Sequence, residues 1–232
     1  MILDHLFALP RGLDPAAPLA GATLEAADAF SRALRAAGFR EGSSRAHPGQ
    51  GTANRRLFLD DLMIECLSVD DATALDHPRG AVLRLGTRFR DPSASGLGLA
   101  FRPDADAPGA LPAPDFDAVA YRPAYLPESL HIDVAREPSV AAPLLFHLPF
   151  ARRPPGVPED DQPRDHANGA RRVAALRLET PAALPDAVRA ALDGVGIARA
   201  TGPAECLHLR LDGPADGFEL DLRPRLPLRL HA

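Results

Sequence analysis

Leu34-Arg35-Ala36-Ala37-Gly38-Phe39 and Leu192-Asp193-Gly194-Val195-Gly196-Ile197 read as one event occurring twice: a helix meets a glycine stop, and an apolar residue then starts extended chain. Glycine suits the stop because the position after a helix C-cap often takes a left-handed conformation that a Cβ disfavours. Working back from the first copy, Leu24, Ala27, Phe30, Leu34 and Ala37 recur at helical spacing, with Thr23 as the expected N-cap. Ahead of it, residues 2–9 form a short apolar run bounded by Pro10-Arg11-Gly12, the pattern of a buried strand. Beyond it, residues 39–46 read as extended chain, and His47-Pro48-Gly49-Gln50-Gly51 as a turn-rich loop. Strands are expected around 54–59 and at 62–69, joined across Asp60-Asp61. The predicted order is β-α-β-β-β.

The second copy repeats that order. Residues 172–178 read as a strand, 186–192 as a helix with Pro185 near its first position, and 197–200, 205–211 and 217–222 as strands. Met63-Ile64-Glu65-Cys66-Leu67 is echoed by Gly217-Phe218-Glu219-Leu220-Asp221. Between the copies, 97–102, 129–135 and 144–150 read as strands, separated by proline-rich loops at 103–114 and 152–163. The first of these loops stands where a helix would belong. The chain is therefore expected to be α+β: a first module at 1–75, a degraded middle module at 76–165 and a C-terminal module at 166–232, in one compact unit. The loop at 151–165 is a candidate lid.

Composition narrows the function. At 232 residues, 46% hydrophobic and 25% charged, the chain can bury a full core, and 25 prolines argue against a helical bundle. Net charge is −5 with no basic block, so no nucleic-acid partner is expected. The absence of lysine removes Schiff-base and P-loop chemistry. Gly96-Leu97-Gly98 lacks the third glycine of a dinucleotide fingerprint, and neither Ser93 nor Ser95 sits in a nucleophile elbow. Cys66 and Cys206 make no disulfide framework, and no apolar run approaches the ~18 residues of a membrane span. A cytoplasmic protein with no membrane partner is the expectation, and a homodimer through an exposed sheet edge is compatible with it.

The repeated order, together with three stretches, resembles the glyoxalase-like family of the vicinal oxygen chelate superfamily, which also holds bleomycin-resistance proteins and extradiol dioxygenases. The stretches are His47-Pro48-Gly49-x-Gly51-Thr52-x-Asn54-Arg55, Tyr125-Leu126-Pro127-Glu128-Ser129 and His166-Ala167-Asn168-Gly169-Ala170. The resemblance implies paired modules forming a curved, partly closed mixed sheet around a concave site. It also implies a divalent metal (Zn, Ni, Fe or Mn) that polarises an oxygen-chelating substrate for a lyase, isomerase or dioxygenase step.

Carried onto this chain, the implied metal ligands are His5, Glu65 and His147. Neither 97–101 nor 172–175 offers a ligand on its strand, so at most three can be matched. Strand alternation gives Leu3, His5 and Phe7 one parity, and Met63, Glu65 and Leu67 another shared one. A carboxylate in a buried strand needs a metal, arginine or histidine partner, and Glu65 could double as a general base. His147 could equally serve a neighbouring carbonyl. His47, Asn54, Arg55, His131, His166 and Asn168 are the candidate substrate contacts, although Gly49 and Gly51 also explain the first loop as a turn. The rival expectation is a metal-free protein that sequesters a small molecule in the same cup.

Overall fold

The computed structural model describes residues 1–104, 113–137, 139–151 and 161–232. The chain begins with β1 (Ile2–Ala8), α1 (Leu19–Ala36), β2 (Arg45–His47), β3 (Thr52–Phe58) and β4 (Met63–Val69). A 3-10 turn (Pro78–Leu83), α2 (Leu85–Arg90), β5 (Leu97–Arg102), β6 (Ala118–Tyr121), β7 (Ile132–Ala135) and β8 (Leu144–His147) follow. The last part holds β9 (Arg172–Thr180), α3 (Asp186–Gly194), β10 (Ala198–Thr201), β11 (Cys206–Asp212), β12 (Glu219–Asp221) and β13 (Leu228–His231).

This is a mixed α/β fold, mostly strands. Among the described residues the strands form two mixed sheets, ordered β2-β3-β4-β1-β5-β8-β7-β6 and β10-β9-β11-β13-β12, and neither closes into a barrel. In the larger sheet β1 and β5 run antiparallel side by side at the centre. Each has a parallel partner on its outer side, β4 for β1 and β8 for β5. The smaller sheet is ordered differently. Its β13 was not foreseen from the sequence and lies between β11 and β12, while β9 pairs parallel with β10 and antiparallel with β11.

Several elements depart from the sequence reading for local reasons. Helix α1 starts at Leu19, behind Pro18 with its φ of −56°, so Thr23 is inside the helix and not its N-cap. The Thr23 hydroxyl donates to Leu19 O at 2.9 Å and accepts from the Val69 amide at 2.9 Å, tying the helix to the end of β4. The glycine stop is as expected: Gly38 has a φ of +80°, and a Cβ there would lie 3.1 Å from the Asn168 amide. In β1 the register with β5 shifts between Leu3 and His5. That bulge at Asp4 breaks the expected parity: Leu3 packs with the core while His5 and Phe7 face the opposite side. The 3-10 turn, α2 and β6 fall where no element was assigned. The described ends of the 103–114 loop, 103–104 and 113–114, carry no helix. Most of the candidate lid at 151–165 lies outside the described residues.

One face of the larger sheet shares a core with α1, α3 and the smaller sheet; Leu6, Leu57, Ile64 and Leu99 belong to the same cluster as Phe30, Leu34, Val188, Leu207 and Leu228. The other face carries a second cluster built on Phe7, Leu67, Leu83, Leu85, Tyr121, Val134 and Phe146, and this cluster walls a cavity. Gly98 permits that arrangement, since a Cβ there would stand 2.2 Å from the Phe7 ring. Among the described residues no helix is long and apolar enough to cross a membrane.

Candidate functional site

The cavity measures about 380 Å³, within the range of small-molecule sites. Its charged lining comes from the first half of the sheet: Asp4 and His5 from β1, Arg45 and His47 from β2, Arg56 from β3 and Glu65 from β4. The 3-10 turn and α2, with Leu83 and Leu85, and the second half of the sheet with its loops, with Ile132, Leu144, Phe146 and Leu148, contribute an apolar wall together with two tyrosines, Tyr121 and Tyr125. A ligand with one polar end and one apolar body fits that division.

Glu65 is buried at the polar end and accepts a hydrogen bond from Asn54 Nδ2 at 3.1 Å. The Asn54 Oδ1 in turn accepts from the Arg45 amide at 2.7 Å, which fixes the amide's orientation. Burial raises the Glu65 carboxyl above its ordinary range, against the opposing pull of His5, Arg56 and the Asn54 bond. His5 is held by its Nδ1, 2.8 Å from Asp4 Oδ2, and Asp4 also lies 3.1 Å from Arg102 Nε. The His5 ring packs edge-on against Phe146, with centroids 5.5 Å apart.

His47 lies at the other side of the polar end, its Nδ1 2.9 Å from the Thr52 hydroxyl. Burial first, then Arg45, Arg56 and His5, push its pKa down to about 4, so the ring is neutral near pH 7. Gln50 donates to the same Thr52 hydroxyl at 2.8 Å, and its Oε1 accepts from Tyr121 at 3.3 Å and Tyr125 at 3.1 Å. The Tyr125 ring lies beside His47, with centroids 5.2 Å apart, and below the Arg45 guanidinium at 5.8 Å.

Of the sequence candidates, His5, His47, Asn54 and Glu65 meet in this cavity. Arg55 does not: strand alternation turns it toward α1, where it binds Asp28 at 2.7 Å and Ser44 at 3.1 Å. His131 and His147 also lie on the opposite face, because their neighbours Ile132 and Phe146 are the residues turned inward. There the Asp133 carboxylate takes both, 3.2 Å from His131 Nε2 and 3.1 Å from His147 Nδ1. His147 is fully buried, and among the described residues its Nε2 has no hydrogen-bond partner.

The third stretch that carries the resemblance is structural. His166 accepts from the Arg40 amide at 3.1 Å and donates to Phe58 O at 2.9 Å, so both ring nitrogens are engaged. Asn168 donates to Ala37 O at 2.8 Å and accepts from Ala170 at 3.0 Å, bracing the end of α1. The sequence reading missed Gln50, Tyr121, Tyr125, Arg45 and Arg56. One signal was available for the tyrosines: they are the chain's only two, four residues apart around Arg122-Pro123-Ala124.

The three residues implied as metal ligands do not come together, since the sheet separates His147 from His5 and Glu65. Among the described residues, no group of three or more His, Cys, Asp or Glu side chains is placed to hold a metal ion. No family model matches the chain, and no curated protein does. The chain is similar to the crystal structure of a hypothetical protein from Staphylococcus aureus, with a TM-score of 0.53, 9% identity and 100% and 99% of the two chains covered. The likeness is one of fold alone.

Proposed function

We propose that this chain is a glyoxalase-like small-molecule enzyme whose cavity binds an oxygen-bearing substrate, with Glu65 as the general base. The observation that carries the reading is a buried carboxyl with a raised pKa at the polar end of a cavity with an apolar wall. Burial makes Glu65 a stronger base than an exposed carboxylate, and Asn54 aims it. The two halves of the larger sheet, each with its parallel strand pair flanking β1 and β5, are read as the paired modules of such a fold.

The reaction class is a lyase, isomerase or dioxygenase step on a substrate that presents adjacent oxygens. His147 on the opposite face favours a second reading, a metal-free protein that sequesters its ligand. The discriminating experiment is a thermal-shift and turnover screen of oxygenated small molecules with the parent, Glu65→Gln and His5→Ala. The enzyme reading expects turnover in the parent and a loss of about 10²-fold or more in Glu65→Gln, with ligand-induced stabilisation retained. Stabilisation without turnover would establish sequestration; full turnover in Glu65→Gln would sink the assignment of Glu65. Metal content of the same preparations, purified without chelator, tests whether Zn, Ni, Fe or Mn accompanies the protein and is lost in the two variants.

A further inference from the structure

We propose that Tyr121 and Tyr125 form a two-hydroxyl receptor for a carboxylate or carbonyl oxygen, and that the side-chain oxygen of Gln50 occupies this receptor when no ligand is bound. This rests on the reading of the cavity as a ligand site and names the chemical class of its ligand: an acidic or carbonyl head group on an apolar body.

The argument starts from convergence. Two phenol groups from different segments, one at the end of β6 and one in the following loop, aim at a single amide oxygen inside the cavity. Their O···O distances of 3.3 and 3.1 Å exceed the ~2.7–2.8 Å of a well-made hydroxyl bond, so the oxygen is held loosely. A neutral amide oxygen is also a weaker acceptor than an ionised carboxylate, which would make shorter, stronger bonds. The Gln50 amide is tethered at its other end, its Nε2 donating to the Thr52 hydroxyl at the start of β3 at 2.8 Å.

The surroundings select the same chemistry. Burial holds the Tyr121 hydroxyl up to about 12 and raises Tyr125 as well, so both remain donors at any physiological pH. The Arg45 guanidinium lies over the Tyr125 ring, and Arg56 lines the same end of the cavity. At the two hydroxyls and the Arg45 guanidinium an oxygen acceptor meets complementary groups and an ammonium does not, with the Glu65 carboxyl, which also lies within electrostatic reach of Tyr125, offsetting part of that preference. Beside the tyrosines, starting from Ile132 as the cross-strand neighbour of Tyr121, runs the apolar wall of Ile132, Leu144 and Phe146, which would take a short aryl or alkyl body.

The chain carries a built-in reporter, since it has no tryptophan and its two tyrosines are the receptor itself. The probes are 3-phenylpropionate and its isosteric amine, 3-phenylpropylamine, followed by intrinsic tyrosine emission, calorimetry and thermal shift. The acid is expected to bind with a change in emission while the amine does not. Tyr121→Phe and Tyr125→Phe are each expected to weaken the acid about tenfold, with the melting temperature of the free protein little changed. Gln50→Ala is expected to tighten it, because the internal competitor is gone. Equal binding of acid and amine, or a Gln50→Ala variant that weakens the acid as much as the tyrosine variants do, would overturn the receptor while leaving the cavity a ligand site. If neither probe binds, the cavity reading falls and the receptor falls with it.

Discussion

Glu65 shows what a buried carboxyl costs the fold. Its carboxyl is raised by burial, so the folded chain holds this proton more tightly than the unfolded chain does. The sign follows from linkage: stability linked to this group is fully present below the ordinary carboxylate range and is lost as pH rises through the raised value. Glu65→Gln keeps an acceptor for Asn54 and removes the ionisation. It is expected to be more stable than the parent at pH 8 and nearly equal to it at pH 4, measured by urea denaturation at both. No gain at pH 8 would mean that His5 and Arg56 already compensate the charge. At this scale Asn54 was legible from the glycine-rich loop motif it belongs to, and Glu65 as the lone carboxylate in an apolar strand. The sequence was illegible in β7 and β8, where both faces are buried: Phe146 and Leu148 flank His147, and nothing in that run says which face is the inner one. The tyrosine receptor depends on a loop bringing Tyr125 back over Gln50, a tertiary contact with no local signature.

At the scale of elements, α1 is held by more than its apolar stripe. Ala26, Ala27, Phe30 and Leu34 bury its inner face, yet Thr23 makes the one specific tie from the helix to the last residue of β4. Thr23→Val preserves the shape and leaves the Val69 amide without an acceptor. A loss of about 1–3 kcal/mol is expected by chemical denaturation, and a loss under 0.5 kcal/mol would show that water or a backbone shift takes over. The helix itself was foreseen from its spacing and its glycine stop. Its start was not, since Thr23 is a good N-cap residue by type and the chain begins the helix one turn earlier behind Pro18. The bulge at Asp4 is similar: period-two counting assumes an unbroken strand, and one inserted residue reverses the side on which Leu3 falls.

At the scale of the molecule, the two sheets are tied together through Glu205. This residue precedes β11 in the smaller sheet, and its carboxylate accepts from the Ser95 hydroxyl and from the Gly96 amide at 2.7 Å, just ahead of β5 in the larger one. Arg11 joins the same junction, donating to Arg88 O at 2.6 Å and Ala94 O at 2.9 Å. Arg88 is buried and spends one Nη on Val140 O at 3.2 Å and Ala142 O at 2.9 Å, which anchors α2 and with it the Leu85 wall of the cavity. Glu205→Ala therefore removes two acceptors at once and takes away a carboxyl that acts on both the half-buried Arg11 and the buried Arg88. It is expected to cost about 2–4 kcal/mol and to speed limited proteolysis of the parent fold, whereas Glu205→Gln costs about half as much. Equal stability of Glu205→Ala and the parent would show that the sheets hold by apolar contact alone. The strands of both sheets were largely legible from their apolar runs. Their order was not, because β13, the last strand in the chain, inserts between β11 and β12, and β5 joins β1 across most of the first hundred residues.

The division of the cavity along the β1–β5 seam has an evolutionary consequence. Every carboxylate, histidine and arginine of the lining stands on one side of that seam, while the two tyrosines and most of the aliphatic wall stand on the other. A substitution such as Ile132→Ala or Leu144→Ala can resize the space offered to a ligand's body without disturbing a single proton at Glu65 or His5. Such a layout lets the space for a ligand's body drift while the charged groups stay put, so two proteins with this fold can share their polar strands and still recognise molecules of quite different length.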